Sequence, residues 1–240
     1  MARKYTKKET IIKLDYELSE IESLYQKGIV NWKGITKDTE EYYTEIIAKK
    51  LLEDGIENNL GKIKTIIREW NHLQTDRGRE INESSNRLEE NKAKEMKREG
   101  IQIKGLGKII DYQIPLKNKL YNNAGKIDLL FFDENTSDLN LTELKYEGNL
   151  DTLLRTILEI YTYYKIIDKD KLIKEFEKYK KIKVKQIKSN ILLWENSLAY
   201  NELLEINENK RKNLKQLIEK LKICFIIAKI NKTTYESHEL

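Results

Sequence analysis

Three ionisable residues interrupt two short apolar segments in the middle of the chain. Asp128 lies in the apolar run 125–133, and Glu143 and Lys145 lie two positions apart in the run 139–145. Side chains two positions apart in a strand point to the same face of a sheet. The turn-forming residues between the two runs predict a β-hairpin. The sequence therefore predicts that two carboxylates and one amine meet on an otherwise apolar sheet.

This set of side chains suggests metal-assisted chemistry. An Asp and a Glu held together bind a hard divalent cation through oxygen, because their repulsion otherwise raises one of the two pKa values. Mg²⁺ is the expected ion, and Mn²⁺ can substitute for it. A Lys beside the ion can orient or deprotonate a water and stabilise phosphate charge, as phosphodiester hydrolysis requires. The alternative is a cross-strand salt bridge between Asp128 and Lys145 on a half-exposed hairpin.

The arrangement resembles the PD-(D/E)xK nuclease superfamily. The resemblance rests on Ile127-Asp128, on Glu143-Leu144-Lys145 and on the strand-turn-strand between them, and it covers about residues 84 to 195. The proline that the family places before the Asp is replaced here by Ile127. The resemblance implies that Asp128 and Glu143 hold the metal and that the backbone carbonyl of Leu144 adds a ligand. It also implies that Lys145 serves the attacking water.

A fourth candidate lies on the helix predicted over 86–98. At about 100° per residue, Glu89 falls in the middle of the apolar arc of this helix, and Glu90 points away from it. The superfamily often places a Glu on the helix before its first strand, so the resemblance implies that Glu89 assists at the metal. Two alternatives stay open: Glu89 pairs with a basic residue of its own helix, or Glu90 takes the role. The arc is formed by Leu88, Ala93 and Met96.

The segment 165–188 carries ten lysines and four acidic residues, which predicts contact with a phosphate backbone. Arg155, on the helix predicted over 151–167, is a further candidate for phosphate contact, although an exposed salt bridge with Glu159 explains it equally well. Superfamily members often carry a Gln on this helix followed four residues later by a Tyr. The nearest equivalents here are Thr156 and Ile160. The candidate nucleic-acid-binding residues are Arg155, Lys180, Lys181, Lys183 and Lys185.

The composition of the chain limits the partners and cofactors that the protein can have. The chain has 240 residues, 45 basic and 40 acidic, with a net charge of +5. This balance permits nucleic-acid binding without demonstrating it. Cys224 is the only cysteine, so one chain can build no disulfide or metal–sulfur cluster, and we expect it to be an inert core residue. No long apolar run occurs, and we expect a soluble cytoplasmic protein with no membrane partner.

Two regions follow from the hydrophobic periodicity. The periodicity over residues 1–78 predicts a bundle of three helices. Three roles of this bundle are open: clamping a duplex, forming a homodimer or covering a sheet edge. Residues 79–240 predict the nuclease-like core, joined to the bundle by a polar linker near 74–85. The predicted helices of the first region span 6–25, 36–53 and 56–72, and the core adds strands over 108–116, 184–194 and 223–230, a long helix over 197–221 and a frayed tail over 233–240.

The sequence thus predicts an α/β protein with a central mixed β-sheet flanked by helices. By resemblance this is a restriction-endonuclease-like core. The predicted function is a Mg²⁺-dependent nuclease, most simply an endonuclease, that hydrolyses DNA with a metal-activated water; RNA is not excluded as a substrate. The alternative is a non-catalytic module with the same fold that binds nucleic acid or a protein partner.

Overall fold

A single mixed sheet forms the centre of the molecule. The computed structural model describes residues 4–53, 55–73, 87–117, 125–229 and 234–238. In these ranges seven strands occur, and their order across the sheet is their order in the chain. They are β1 (Gln102–Ile103), β2 (Gly107–Pro115), β3 (Lys126–Asp133), β4 (Asp138–Lys145), β5 (Gln186–Trp194), β6 (Cys224–Ala228) and β7 (Tyr235–His238).

Strand direction divides the sheet into two parts. β1 to β4 pair antiparallel, β4, β5 and β6 pair parallel, and β7 pairs antiparallel with β6. Parallel neighbours need long crossovers, which helices provide here. The predicted α/β class and mixed sheet are therefore confirmed. The α-helices of the described ranges are α1 (Lys7–Glu17), α2 (Tyr43–Glu53), α3 (Leu88–Glu99), α4 (Leu153–Ile166), α5 (Lys169–Lys180), α6 (Leu198–Asn207) and α7 (Lys212–Leu221).

The predicted hairpin is β3 and β4. The two strands pair antiparallel, with Leu129 opposite Thr142 and Phe132 opposite Leu139. A four-residue turn joins them, and Ser137 closes it in the left-handed conformation (φ 60°). All eight residues of β4 are buried, because β5 covers its other edge. The hairpin is thus a central part of the sheet, not a half-exposed one.

Apolar side chains cover both faces of the sheet. The larger cluster joins Leu130 of β3 and Ile157 of α4 to N-terminal residues such as Leu24 and Ile47. The smaller cluster on the other face includes Leu144 and residues of α3. The N-terminal helices therefore share the core of the sheet instead of building a separate one. The predicted domain boundary and linker near 74–85 lie outside the described residues.

Three helix predictions in the N-terminal region need correction. The helix predicted over 36–53 begins at Tyr43, because Ile35 and Tyr42 pair in an isolated β-bridge. The α-helical part of 6–25 ends at Glu17 and continues as a 3₁₀ segment, Leu18–Gln26. The helix predicted over 56–72 is wrong: a 3₁₀ turn, Leu60–Lys62, is followed by irregular chain. The Ile66 amide donates to the carbonyl of Ile166 over 2.7 Å, so the tertiary contact with the end of α4 outweighs the helical periodicity.

The C-terminal region departs from prediction in three places. The long helix over 197–221 is broken into α6 and α7, with Asn209 left-handed between them (φ 59°). Cys224 is exposed, so its predicted place in the core is wrong. The predicted frayed tail contains β7, in which His238 pairs with Phe225 of β6.

Candidate metal and acid–base site

Asp128 lies at the beginning of β3, where β3 and β4 begin to separate. Its Oδ2 accepts a hydrogen bond from the Leu144 amide at 2.9 Å, and its Oδ1 accepts one from Gln113 Nε2 at 2.9 Å. Gln113 has a left-handed backbone (φ 51°), a conformation that is uncommon for a residue with a side chain. The carboxylate therefore bridges two strands at a distorted position of the sheet.

Glu143 and Lys145 share one face of β4, as the strand period predicts. Lys145 Nζ donates to Glu143 Oε1 and to Glu159 Oε2, each at 2.9 Å, and lies 3.5 Å from Asp151 Oδ2. Only 3% of Lys145 is exposed. The register of the hairpin places Glu143 one step beyond the Leu129–Thr142 pair, opposite Asp128 and on the same face. The structure therefore brings the three predicted residues together.

Glu159 is the residue that the sequence analysis missed. Its Oε1 accepts a hydrogen bond from the Tyr163 hydroxyl at 3.0 Å, and its Oε2 faces Lys145. Two side chains of α4 that lie four residues apart thus face the site, Glu159 and Tyr163. The sequence analysis had assigned Thr156 and Ile160 as the nearest equivalents of such a pair. The predicted pairing of Glu159 with Arg155 is replaced by a bond of Arg155 Nη1 to Asp151 Oδ1 at 3.1 Å.

Burial and repulsion act on the two candidate metal ligands. Burial raises the pKa of Asp128 to about 7; Lys145 partly offsets this effect, and Glu89 adds to it. Burial, followed by the charges of Asp128 and Glu159, raises the pKa of Glu143 well above its usual range. Glu143 Oε2 is buried and has no hydrogen-bond partner among the described residues. The pair therefore favours an added proton or cation.

Lys145 holds its proton firmly. Burial alone lowers the pKa of an amine, but the charges of Glu143, Glu159, Glu89 and Asp128 outweigh it and raise the pKa of Lys145 well above its usual value. Burial also opposes ionisation of Glu159, yet the bonds from Lys145 and Tyr163 lower its pKa. Lys145 is an ammonium ion in this arrangement, so it acts as a fixed positive charge.

Glu89 reaches the site from α3. Its Oε1 accepts hydrogen bonds from Asn149 Nδ2 at 2.8 Å and from the Tyr146 amide at 3.3 Å, and burial raises its pKa. Glu90 instead pairs with Lys94 at 3.0 Å. Glu89 is thus the acidic residue of α3 that faces the end of β4, although Leu88, predicted on the apolar side, is 57% exposed.

An open cavity of about 390 Å³ gives solvent access to part of this cluster. Glu89 and Asp128 both line it, while Glu143 and Lys145 do not. A small ligand in the cavity therefore meets Asp128 and Glu89 first. The cavity is lined by Arg87, Leu88, Glu89, Glu90, Gln113, Asp128, Tyr146, Glu147, Gly148 and Asn149.

The candidate phosphate-binding lysines lie elsewhere. All four are exposed: Lys180 is the last residue of α5, and Lys181, Lys183 and Lys185 follow it. The Lys185 amide donates to the carbonyl of Ser137 in the hairpin turn. β4 runs seven residue steps from that turn to Lys145, which is about 23 Å at about 3.3 Å per step. The lysines and the carboxylates therefore lie at opposite ends of the sheet.

The donor set for a metal ion is small. No group of three or more His, Cys, Asp or Glu side chains in the described ranges is arranged to hold a metal ion. The pair that fits best is Asp128 with Glu143, because both are carboxylates and the free Glu143 Oε2 has an unfilled bonding site. Leu144, the third predicted ligand, contacts Asp128 through its amide.

Comparisons with protein-family models, with curated proteins and with solved structures find no match to this chain. In the part of the chain that the structure describes, none of the helices has the length and apolarity that crossing a lipid bilayer requires.

Proposed function

We propose that this protein is a metal-dependent nuclease that hydrolyses phosphodiester bonds in DNA, with RNA as the alternative substrate. The observation that carries the proposal is the pairing of Asp128 with Glu143 on a buried face. Two carboxylates whose pKa values are raised, one with an unsatisfied buried oxygen, are unfavourable unless a proton or a cation joins them. A divalent cation bound by both carboxylates would take the place of these protons.

Each residue of the site has a role in this proposal. Asp128 and Glu143 would hold Mg²⁺, which supplies Lewis acidity and an activated water when bound. Lys145, kept protonated by Glu143 and Glu159, places a positive charge beside the phosphate that receives the attack. Glu89, from α3, lines the same cavity as Asp128 and orients water there through its buried carboxylate.

We propose that β2, β3, β4 and α4 correspond to a restriction-endonuclease-like core. The support is the order of the parts: an acidic helix, an antiparallel meander that carries Asp128 and Glu143, and a helix that packs behind Lys145. The strand pairing also supports it, because β4 leads through α4 into a parallel neighbour.

The second candidate is a binding module that has this fold without catalysis. One observation favours it: Lys145 is already surrounded by Glu143, Glu159 and Asp151, so its charge is neutralised inside the protein. In this case the cluster stabilises the fold, and the protein binds nucleic acid or a protein partner at another surface.

A cleavage assay separates the two candidates. Supercoiled plasmid and single-stranded RNA are incubated with the parent protein, Glu143→Gln and Glu134→Gln in Mg²⁺, Mn²⁺ or EDTA. Glu134→Gln is the matched control, because it removes the same charge from the exposed turn of the same hairpin. We expect cleavage by the parent and by Glu134→Gln in Mg²⁺, and none by Glu143→Gln or in EDTA.

Calorimetry with Mg²⁺ completes the test. The nuclease proposal requires a binding isotherm that the parent shows and Glu143→Gln loses. A parent protein that neither cleaves nor binds either ion, but shifts the mobility of DNA, is the binding module instead.

A further inference from the structure

The N-terminal segment Tyr25–Asn31 contacts the residues that surround Lys145. Asn31 Nδ2 donates to Asp151 Oδ1 at 3.1 Å, and Asn31 Oδ1 accepts from the Thr152 amide at 2.8 Å. The Thr152 hydroxyl in turn donates to the carbonyl of Val30 at 2.6 Å. Thr152 is the N-cap of α4, so this segment fixes the start of that helix and the carboxylate just before it.

A second contact leads to the middle of α4. The Tyr25 hydroxyl accepts a hydrogen bond from Gln26 Nε2 at 2.7 Å and lies close to the Tyr163 hydroxyl. The two Tyr rings meet edge to face, with their centroids 5.4 Å apart. Tyr163 then donates to Glu159 Oε1 at 3.0 Å. Because Tyr25 is only 4% exposed, water cannot easily replace this link.

Both contacts end at the same amine. Asp151 Oδ2 lies 3.5 Å and Glu159 Oε2 lies 2.9 Å from Lys145 Nζ. Asp151 accepts from Asn31 and from Arg155 on one oxygen and faces Lys145 with the other. Glu159 likewise faces Tyr163 with one oxygen and Lys145 with the other. Asn31, together with Arg155, therefore orients Asp151 toward Lys145, and Tyr163, which packs against Tyr25 of the N-terminal segment, orients Glu159.

We infer that the segment Tyr25–Asn31 is part of the proposed nuclease site, and that Tyr25 and Asn31 are positioning residues that fix the direction of the Lys145 ammonium through Glu159 and Asp151. The inference rests on the proposed function. It gives the N-terminal region a role in the site besides the three that its sequence left open.

Substitutions that change only the polar groups of the segment distinguish a positioning role from packing. If the segment only covered the core, an apolar ring in place of Tyr25 would serve equally well. Tyr25→Phe keeps the ring and removes the hydroxyl. Asn31→Asp keeps an acceptor for the Thr152 amide and replaces the donor that faces Asp151 with a second carboxylate, which repels it.

The test combines two measurements on the full-length protein. Steady-state cleavage of DNA gives kcat and KM, and a proton–nitrogen correlation spectrum of the lysine ammonium groups reports on Lys145, assigned with Lys145→Arg. Matched controls are Asn201→Asp, which adds the same charge on the exposed face of α6, and Tyr161→Phe, which removes a hydroxyl from α4. We expect both test variants to lower kcat by about 10- to 100-fold, as loss of an outer partner of a site does, with KM unchanged.

The spectrum separates the inference from the proposed function. We expect the Lys145 ammonium signal to shift or broaden in Tyr25→Phe and Asn31→Asp and to stay in place in both controls. If the parent does not cleave, the proposed function fails, and the signal alone decides the inference. A Lys145 signal and a kcat that both match the parent, in variants with the parent's melting temperature, overturn it.

Discussion

Asp128 and Glu143 occupy interior positions where a carboxylate is costly. Each is surrounded by buried aliphatic residues of the hairpin, and one ammonium ion, Lys145, serves several acidic side chains. An unpaired buried charge lowers stability, so a cluster of such charges indicates a functional site more than a stabilising one. Arg155, by contrast, is partly exposed and paired with Asp151, and its predicted contact with a phosphate stays a prediction.

The variant Asp128→Asn tests whether the buried charge of Asp128 lowers stability and is needed for function. The substitution removes a charge that burial disfavours, and the amide oxygen that replaces the carboxylate still accepts from the Leu144 amide. We expect the free energy of unfolding at pH 8 in EDTA to rise by about 1 to 3 kcal/mol, while Mg²⁺-dependent cleavage is lost. Urea unfolding and the plasmid assay measure the two effects.

The control for this prediction is Glu134→Gln in the turn of the same hairpin. Glu134 is exposed, so this change removes no buried charge, and we expect no gain in stability and no loss of cleavage. A less stable Asp128→Asn that still cleaves would contradict the assignment of Asp128.

His72 provides a pH-dependent prediction outside the site. Its ring is fully buried, Nδ1 contacts the Pro115 carbonyl at 3.1 Å, and burial, aided by Arg68, lowers its pKa. An unfolded His has a pKa of about 6.5, so the unfolded chain binds more protons below that pH than the folded one. Stability from this residue is therefore present above about pH 6.5 and lost as the pH falls below it.

We expect His72→Asn, which keeps a donor for the Pro115 carbonyl, to lose this pH dependence. The measurement is the difference in unfolding free energy between the parent and the variant from pH 8 to pH 5, which should change by at most about 1.4 kcal/mol per pH unit. His238→Asn, at a partly buried ring, is the comparison and should change less. A difference that stays constant with pH would show that His72 does not titrate in this range.

At the scale of secondary-structure elements, the sequence predicts those strands and helices that depend mainly on interactions between residues close in the chain. The β3–β4 hairpin, β5 and α4 follow from apolar runs and caps, and the site residues on β3 and β4 follow from the strand period alone. Glu159 was missed because α4 is apolar on most sides, so its buried face can be identified only from what packs on it. The helix expected over 56–72 does not form, because the Ile66 amide donates to the carbonyl of Ile166 at the end of α4 and not to a carbonyl of its own segment.

The break between α6 and α7 has the same kind of cause. Arg211 follows α6 and turns inward, where Nη2 lies 3.3 Å from Glu202 Oε1 and Nη1 donates to the Thr44 hydroxyl. Glu202 also accepts the Leu153 amide at 2.7 Å. One buried guanidinium thus connects α2, α4, α6 and α7, a set of contacts that a continuous helix could not make.

Arg211→Met should therefore destabilise the fold strongly. Loss of the guanidinium leaves Glu202 buried without its counter-ion, and we expect the free energy of unfolding to fall by about 3 to 5 kcal/mol. Urea unfolding measures it, with Lys210→Met at the exposed neighbour as the control. The double variant Arg211→Met with Glu202→Gln should recover part of the loss; a double variant no more stable than Arg211→Met would mean that the uncompensated charge is not the cause.

At the scale of the molecule, charge is arranged along the sheet. The carboxylate cluster lies where β4 ends, and the exposed lysines lie beside the turn where β4 begins, about 23 Å away at about 3.3 Å per residue. Of the four lysines, Lys183 has an acidic partner among the described residues, Glu177, at 3.0 Å. The Lys183 side chain is nevertheless 92% exposed. A phosphate backbone bound at the lysines would therefore contact the protein outside the cleavage site.

The last prediction separates binding from chemistry on this basis. Replacing Lys180, Lys181, Lys183 and Lys185 with Gln removes only exposed charge, so the fold and the carboxylate site should not change. We expect weaker DNA binding and a slope of log K against log salt that is less steep by up to about 4, because each phosphate contact contributes about one unit. The kcat at saturating DNA should equal that of the parent, because the lysines lie far from Lys145.

Fluorescence anisotropy over a range of salt concentrations measures DNA binding, and single-turnover cleavage measures the catalytic step. The control replaces four exposed or partly exposed lysines of the N-terminal region with Gln: Lys7, Lys13, Lys37 and Lys49. Equal salt slopes in the two quadruple variants would assign DNA binding to another surface, and a fall in kcat confined to the first would place the lysines in the cleavage step instead.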